Sequence, residues 1–310
     1  MIRAQGLEHF YGARQAVKEL SLDVAQGEIV GLMGPNGSGK STAFALLSGL
    51  LPMNAGSLEY REKRVTPDDW SYRRDLGVVF QDVSLDLKLT AKENLSLTAR
   101  MHGLGRNSAS RVQKALVRAG LPERENDLVG TLSGGLRRRL DIARAMIHEP
   151  KFLLMDEPTT GLDLESFEQT WRILETLRAE DKTAILLTTH RPDEALRCDK
   201  LIVMRDGECV RTATPDELLV EAGKDLLLLE TPVPDVVAST LKKELDLSSS
   251  RIGQEKLSIE VASAQEWVVP IANLFEPETL RAINFRRPGL AEAYFKVTGS
   301  ALTASQEEAQ

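Results

Sequence analysis

Residues 34–41 read Gly34-Pro35-Asn36-Gly37-Ser38-Gly39-Lys40-Ser41, a glycine-rich turn that ends in a lysine and a hydroxyl. Glycines let consecutive backbone N–H groups face one point, and a helix starting there adds its dipole, so the spacing suits the phosphates of a nucleotide. Lys40 would reach the β and γ phosphates, and Ser41 would hold Mg²⁺. The flanks agree: the apolar run at 29–33 reads as a strand, and Thr42-Ala43-Phe44-Ala45-Leu46-Leu47 as a helix stopped by Gly49 and Pro52.

Two carboxylates, Asp156 and Glu157, end the apolar run Phe152-Leu153-Leu154-Met155. The carboxyl end of a buried strand is where ligands bind in an open α/β sheet. There Asp156 would join the magnesium shell, and Glu157 would orient and help deprotonate the attacking water of a phosphoryl transfer. Gln81 and His190 also follow apolar runs and so are expected at the same edge. Leu132-Ser133-Gly134-Gly135 opens a helical pattern and makes a second anion site, with Ser133 able to cap the helix. One nucleotide cannot easily use both sites of one chain, so a head-to-tail pair of chains is expected.

The elements that must position these groups are those of an α/β protein. Short apolar runs at 29–33, 76–80, 152–156, 184–188 and 201–204 predict five strands of a buried parallel sheet. The long helical stretch between the second and third is too large for a crossover, which predicts an inserted helical subdomain at about 85–148. In it Leu136, Leu140, Ala143 and Ile147 share one helix face, and Arg137, Asp141, Arg144 and His148 the other. The character changes after Thr214-Pro215-Asp216-Glu217, and the ATPase domain is expected to end at 222. A small α+β domain is expected over 223–298, followed by a disordered tail at 299–310.

Of the 310 residues, 42% are hydrophobic and 27% charged, ordinary for a globular protein, and the formal net charge of −7 argues against a general nucleic-acid binder. The run Arg137-Arg138-Arg139 therefore reads as a solvated or interface face. Cys198 and Cys209 show no metal-ligand or disulfide spacing, which fits a reducing compartment. No apolar stretch is long enough to span a membrane, and the start lacks the apolar core of a signal peptide.

On the phosphate loop, the Ser133-Gly134-Gly135 segment and Asp156-Glu157, residues 1–222 resemble an ATP-binding cassette (ABC) ATPase. The likeness is nearest to the type-two exporters, which also often carry an apolar residue where this chain has Leu136, followed by basic ones. The resemblance implies a P-loop core with a parallel or mixed sheet and an inserted helical subdomain. It implies that Tyr11 stacks on adenine, that residues 34–42, from Gly34 through Thr42, bind phosphate, and that Gln81 touches the magnesium site and reports to a partner. It further implies that Ser133, Gly134 and Gly135 act across the dimer, that Thr160-Gly161-Leu162-Asp163 links the two sites, and that His190 senses the γ-phosphate. Glycine at 161 and Leu164 after the loop depart from the common pattern. The C-terminal part is similar to the extension of those exporters over 287–299.

The function expected is the ATPase subunit of an ABC exporter, using ATP and Mg²⁺. It would work as a homodimer on the cytoplasmic face of the membrane, beneath a permease encoded on a separate chain. Residues 83–90, Val83 through Thr90, are where that permease's cytoplasmic helix is expected to dock. The alternative is a soluble ABC ATPase of translation or DNA maintenance. Such proteins resemble paired or split cassettes, whereas this chain has one uninterrupted cassette.

Overall fold

A computed structural model describes residues 1–302. By its internal contacts the chain divides into two compact units, Met1–Pro215 and Asp216–Ala301, so the boundary lies ahead of the expected 222. The first unit opens with two long strands, β1 (Ile2–Tyr11) and β2 (Arg14–Val24), then the fully buried β3 (Ile29–Met33) and helix α1 (Lys40–Ser48). Next come β4 (Ala55–Tyr60), β5 (Lys63–Val65), helix α2 (Trp70–Arg74) and β6 (Leu76–Val79). Helices α3 (Ala91–Met101), α4 (Ser108–Arg118) and α5 (Gly134–Ala145) precede β7 (Phe152–Asp156). Then follow α6 (Leu164–Ala179), β8 (Ala184–Thr189), the short α7 (Pro192–Ala195), β9 (Lys200–Arg205) and β10 (Glu208–Ala213).

The five expected strands form one parallel sheet in the order β9-β3-β8-β7-β6, with β10 added antiparallel at the edge. Residues in β3, β7 and β8 are buried throughout, as strands covered on both faces require. Register fixes what function needs. Met33 lies opposite Thr189, and Asp156 opposite Thr188, so the chain leaves all three strands at one level.

A second sheet, β2-β1-β4-β5, is antiparallel and was not foreseen. Its first strand buries Ile2, Ala4, Leu7 and His9 on one side, with register shifts that break strict alternation. The large core of this unit joins the two sheets through Leu7, Leu20, Phe44, Tyr72, Leu154 and Leu186, among others.

The helical subdomain has its own core, which includes Leu95, Leu116, Leu140, Ala143 and Ile147. Thr90 and Glu93 start α3 as a reciprocal capping box, satisfying two orphan N–H groups. The opposite face of α5 is not simply solvated, as its charges suggest. Asp141 is fully buried and pairs with Arg144 at 2.8 Å and Arg138 at 3.7 Å, because a buried carboxylate needs cations close by.

The second unit holds most of α8 (Pro215–Ala222), then β11 (Asp225–Glu230), α9 (Pro234–Leu245), β12 (Ser250–Ile252) and β13 (Lys256–Val261). It continues with α10 (Ala264–Ala272), β14 (Ala282–Arg286) and α11 (Leu290–Thr298). Its antiparallel sheet, in the order β12-β13-β11-β14, packs on a core that includes Leu227, Leu241 and Ile259. Gly299 closes α11 in a left-handed conformation, and Ser300 N donates to Thr298 Oγ1 at 3.2 Å, so structured chain runs past the expected start of the tail. Residues 303–310 lie outside the described residues.

Candidate active site

The turn between β3 and α1 is anchored at both ends. Gly34 N donates to the Thr189 carbonyl at 3.2 Å, and Gly207 N to the Ser38 carbonyl at 3.0 Å. Gly39 begins the helix at φ 101°, where a Cβ would stand 2.7 Å from the Ala16 carbonyl, so only glycine fits. Lys40 is buried and donates to the Gly34 and Pro35 carbonyls at 2.7 and 3.0 Å, with Glu157 Oε1 4.0 Å away. Burial lowers its pKa, and Glu157 and Asp156 partly restore it. Ser38 Oγ is buried without a hydrogen-bond partner in the protein, a polar orphan that a bound oxyanion would satisfy.

Asp156 ends β7 and accepts a hydrogen bond from Thr188 Oγ1, whose oxygen in turn accepts from Glu157 N at 2.9 Å. Burial pushes the Asp156 carboxyl upward, against hydrogen bonds from Thr188 and Ser41 and the charge of Lys40. Glu157 itself turns the chain at φ 45°, left-handed backbone that costs a non-glycine residue about 1–3 kcal/mol. That turn aims its carboxylate back at the site. Its Oε1 meets His190 Nδ1 at 3.0 Å, and its Oε2 accepts from Thr160 Oγ1 at 3.2 Å.

A cleft of about 630 Å³ opens over these groups, lined by Tyr11, Asn36, Gly37, Gly39, Lys40, Ser41, Thr42, Gln81 and Glu157. Arg14, Lys18 and Asp206 also line it, and no motif marked them. Tyr11 is half exposed there, in a T-shaped contact with His9, and offers aromatic surface to the cleft. The pocket has the size and the phosphate-facing donors a nucleotide needs. Asp156, Ser41 and Gln81 offer oxygens that suit Mg²⁺, which binds through one or two carboxylates and keeps phosphate and water in its shell. Among the described residues no cluster of three His, Cys, Asp or Glu forms a separate metal cage.

Ser133, Gly134, Gly135 and Asp163 do not line this cleft. Ser133 caps α5, its hydroxyl accepting from Leu136 N at 3.3 Å, and leaves the glycine-bearing helix start toward solvent. Asp163 caps α6 through Ser166 N at 2.8 Å, and those bonds hold its carboxyl below the usual range. Gly135 is in the wall between them, since a Cβ there would overlap Ser166.

Of the expected solvated or interface face, the solvated alternative fails for Arg138, which is only 4% exposed. It donates to the carbonyls of Phe80, at 2.6 Å, and of Gln81. Glu194, Thr159 and Thr188 were likewise missed, since a threonine pair and an acid after a proline carry no chemical pattern of their own. Cys198 is buried, with its thiol pushed up by desolvation.

The ABC transporter family matches residues 17–160. The linearmycin resistance ATP-binding protein LnrL of Bacillus subtilis is 30% identical over 97% of this chain and 99% of its own length. Nod factor export ATP-binding protein I of Burkholderia lata is 34% identical over 95% of this chain and 96% of its own. Among solved structures, the dimeric ATP-binding cassette MJ0796 in a post-hydrolysis state with ADP and Pi covers 69% of this chain and 98% of its own, at 31% identity and TM-score 0.62. The cbiO1 protein of Clostridium perfringens, part of the ABC transporter complex cbiONQ, covers 79% of this chain and 95% of its own, at 26% identity and TM-score 0.65.

Proposed function

Because this chain belongs to the ABC transporter family, we propose that it is the ATP-hydrolysing nucleotide-binding subunit of an exporter, driving a separate membrane subunit. The observation that carries the reading is the convergence of Lys40, Glu157 and His190 at the carboxyl edge of one parallel sheet, beside a nucleotide-sized cleft. Lys40 and the loop N–H groups bind the phosphates. Glu157, held by His190 and Thr160, takes the proton of the attacking water, while positioning and charge stabilisation supply most of the acceleration. Mg²⁺, held by Asp156, Ser41 and Gln81, would neutralise phosphate charge.

The helix start at Ser133 lies outside the chain's own cleft, which supports its use by a second copy in a head-to-tail homodimer. The dimeric MJ0796 structures are in keeping with such a pair. Among the described residues no helix is long and apolar enough to cross a membrane, and the reading assigns the membrane passage to a separate permease. Residues 83–90 are its proposed seat. Leu87 is half exposed there, while Asp86 N bonds to Asn94 and the Leu87 carbonyl to Gly130, presenting the loop on the helical subdomain. Such docking would place this chain on the cytoplasmic face, and the resistance and export roles of its relatives favour outward transport over translation or DNA maintenance.

The test is to tag the chain in its host, extract membranes in mild detergent and identify proteins that co-purify in comparable amount. A polytopic membrane protein is expected. Recovery only in the soluble fraction with ribosomal or DNA-repair proteins would overturn the reading.

A further inference from the structure

Four residues beyond His190, on α7, Glu194 is buried to 1% exposure and stands outside the cleft. Its Oε1 accepts from Thr159 Oγ1 at 2.9 Å, and Thr189 ends the strand β8 from which the chain runs on through His190 to Glu194. Both threonines stand beside the site. Thr159 is fully buried just past Glu157, and its carbonyl accepts from Arg191 Nη1 at 3.2 Å. The Thr189 carbonyl receives the Gly34 N–H of the phosphate loop, and its hydroxyl accepts from Arg191 N at 3.0 Å.

Because Glu194 lies on the segment that continues β8 past His190, its bond to Thr159 ties together the two strand ends that carry Glu157 and His190. Burial pushes its carboxyl up to about 7, although two hydroxyls and the charge of Arg191 act the other way. A carboxylate is an expensive group to bury, and a position that only filled space would be served better by an apolar side chain.

On the reading of Glu157 and His190 as the hydrolytic pair, we infer that Glu194 is a positioning residue for ATP hydrolysis. By gripping Thr159 from the segment after His190 it fixes the approach of Glu157 to His190 and braces the Thr160-Gly161-Leu162-Asp163 loop. A displacement of about 1 Å in such a pair costs roughly 100-fold in rate, so a distant latch can govern turnover.

The test uses the full chain with ATP and Mg²⁺. Thr159→Val removes the hydroxyl at nearly constant volume, and Thr159→Ser restores it. We expect the valine variant to lose about ten-fold in kcat with KM for ATP changed less than about two-fold, and the serine variant to stay near wild type. Glu194→Gln should lower kcat similarly and add little in the Thr159→Val background, as for two members of one contact. If Glu194→Gln does not fold, the threonine pair decides alone. Unchanged kcat in Thr159→Val, or equal losses in the valine and serine variants, overturns the inference. Glu157→Gln run alongside separates the two claims. If it turns over normally, the reading of the site itself fails, whereas if it is dead while Thr159→Val is unaffected, only the role of Glu194 falls.

Discussion

Arg138 and Gln81 are joined across the fold. From the helix that begins at Ser133, the buried Arg138 guanidinium donates to the Gln81 carbonyl and, at 2.6 Å, to the neighbouring Phe80 carbonyl. The side chain of Gln81 lines the cleft while its backbone is held by the helical subdomain. A planar fork of donors holds two carbonyls in one fixed geometry, whereas the three donors of a lysine rotate about a flexible stem. Arg138→Met should destabilise the cassette by about 3–5 kcal/mol, because it also leaves the fully buried Asp141 with one cation in place of two. Denaturant unfolding measures it. Arg138→Lys is expected to fall between the two, and equal stability of all three would contradict the contact.

Glu157→Gln should bind ATP as wild type does and lose at least about 100-fold in turnover, since only the proton-accepting group is removed. Size-exclusion chromatography with ATP should then show accumulation of a closed dimer. A monomeric, fully active variant would sink the mechanism.

Ser133→Arg should leave nucleotide binding by a single chain nearly intact and block dimer closure, because the helix start it obstructs is not part of that chain's own cleft. Fluorescent-nucleotide titration and light scattering check the two halves of the statement. Loss of binding in the monomer would count against assigning Ser133 to the partner's nucleotide.

Gly135→Ala should disturb α6 as well as α5. A Cβ at Gly135 overlaps the Cβ and Oγ of Ser166, whose hydroxyl donates to Asp163 at 2.9 Å, so the cap of α6 and the loop before it must shift. A loss of about 1–3 kcal/mol is expected for overpacking of this kind. Removing the hydroxyl with Ser166→Ala should not rescue it, since the Ser166 Cβ is itself too close.

Glu194 makes stability depend on pH in a predictable sense. Its carboxyl is raised in the folded chain to about 7 from an ordinary 4.5, so between those values the folded state holds the proton and the unfolded state has released it. Wild-type stability from this group therefore falls as pH rises from about 4.5 to 7, by an amount of order 3 kcal/mol, and is flat above. The difference in melting temperature between Glu194→Gln and wild type should move in favour of the variant over that window. Paired with its expected loss of kcat, such a gain marks a group retained for activity at a cost to stability.

The apolar runs made the parallel sheet legible, because a strand covered on both faces has to be apolar throughout, and β3, β7 and β8 are. The β1–β2–β4–β5 sheet was not, since its strands bury one face, and the register shifts around Leu7 and His9 blur the two-residue period that would reveal them. Within the site the same division holds. Lys40, Asp156 and Glu157 stand beside motifs whose chemistry is local, whereas Arg138 looked like one of three surface arginines until its carbonyl partners, 57 and 58 residues away in sequence, were in place.

The sequence by itself determined the chemistry available: a phosphate-binding turn, a pair of carboxylates at a strand end, and a capped helix start, each encoded in a few adjacent residues. Only the tertiary structure decided their relations. Strand register levels Met33, Asp156 and Thr189, the left-handed turn at Glu157 brings its carboxylate to His190, and burial turns Arg138 and Glu194 from ordinary charges into clamps. The reason is physical. Hydrogen bonds and desolvation act over a few ångströms of space, and distances of that order between residues far apart in the chain exist only once the sheet has formed.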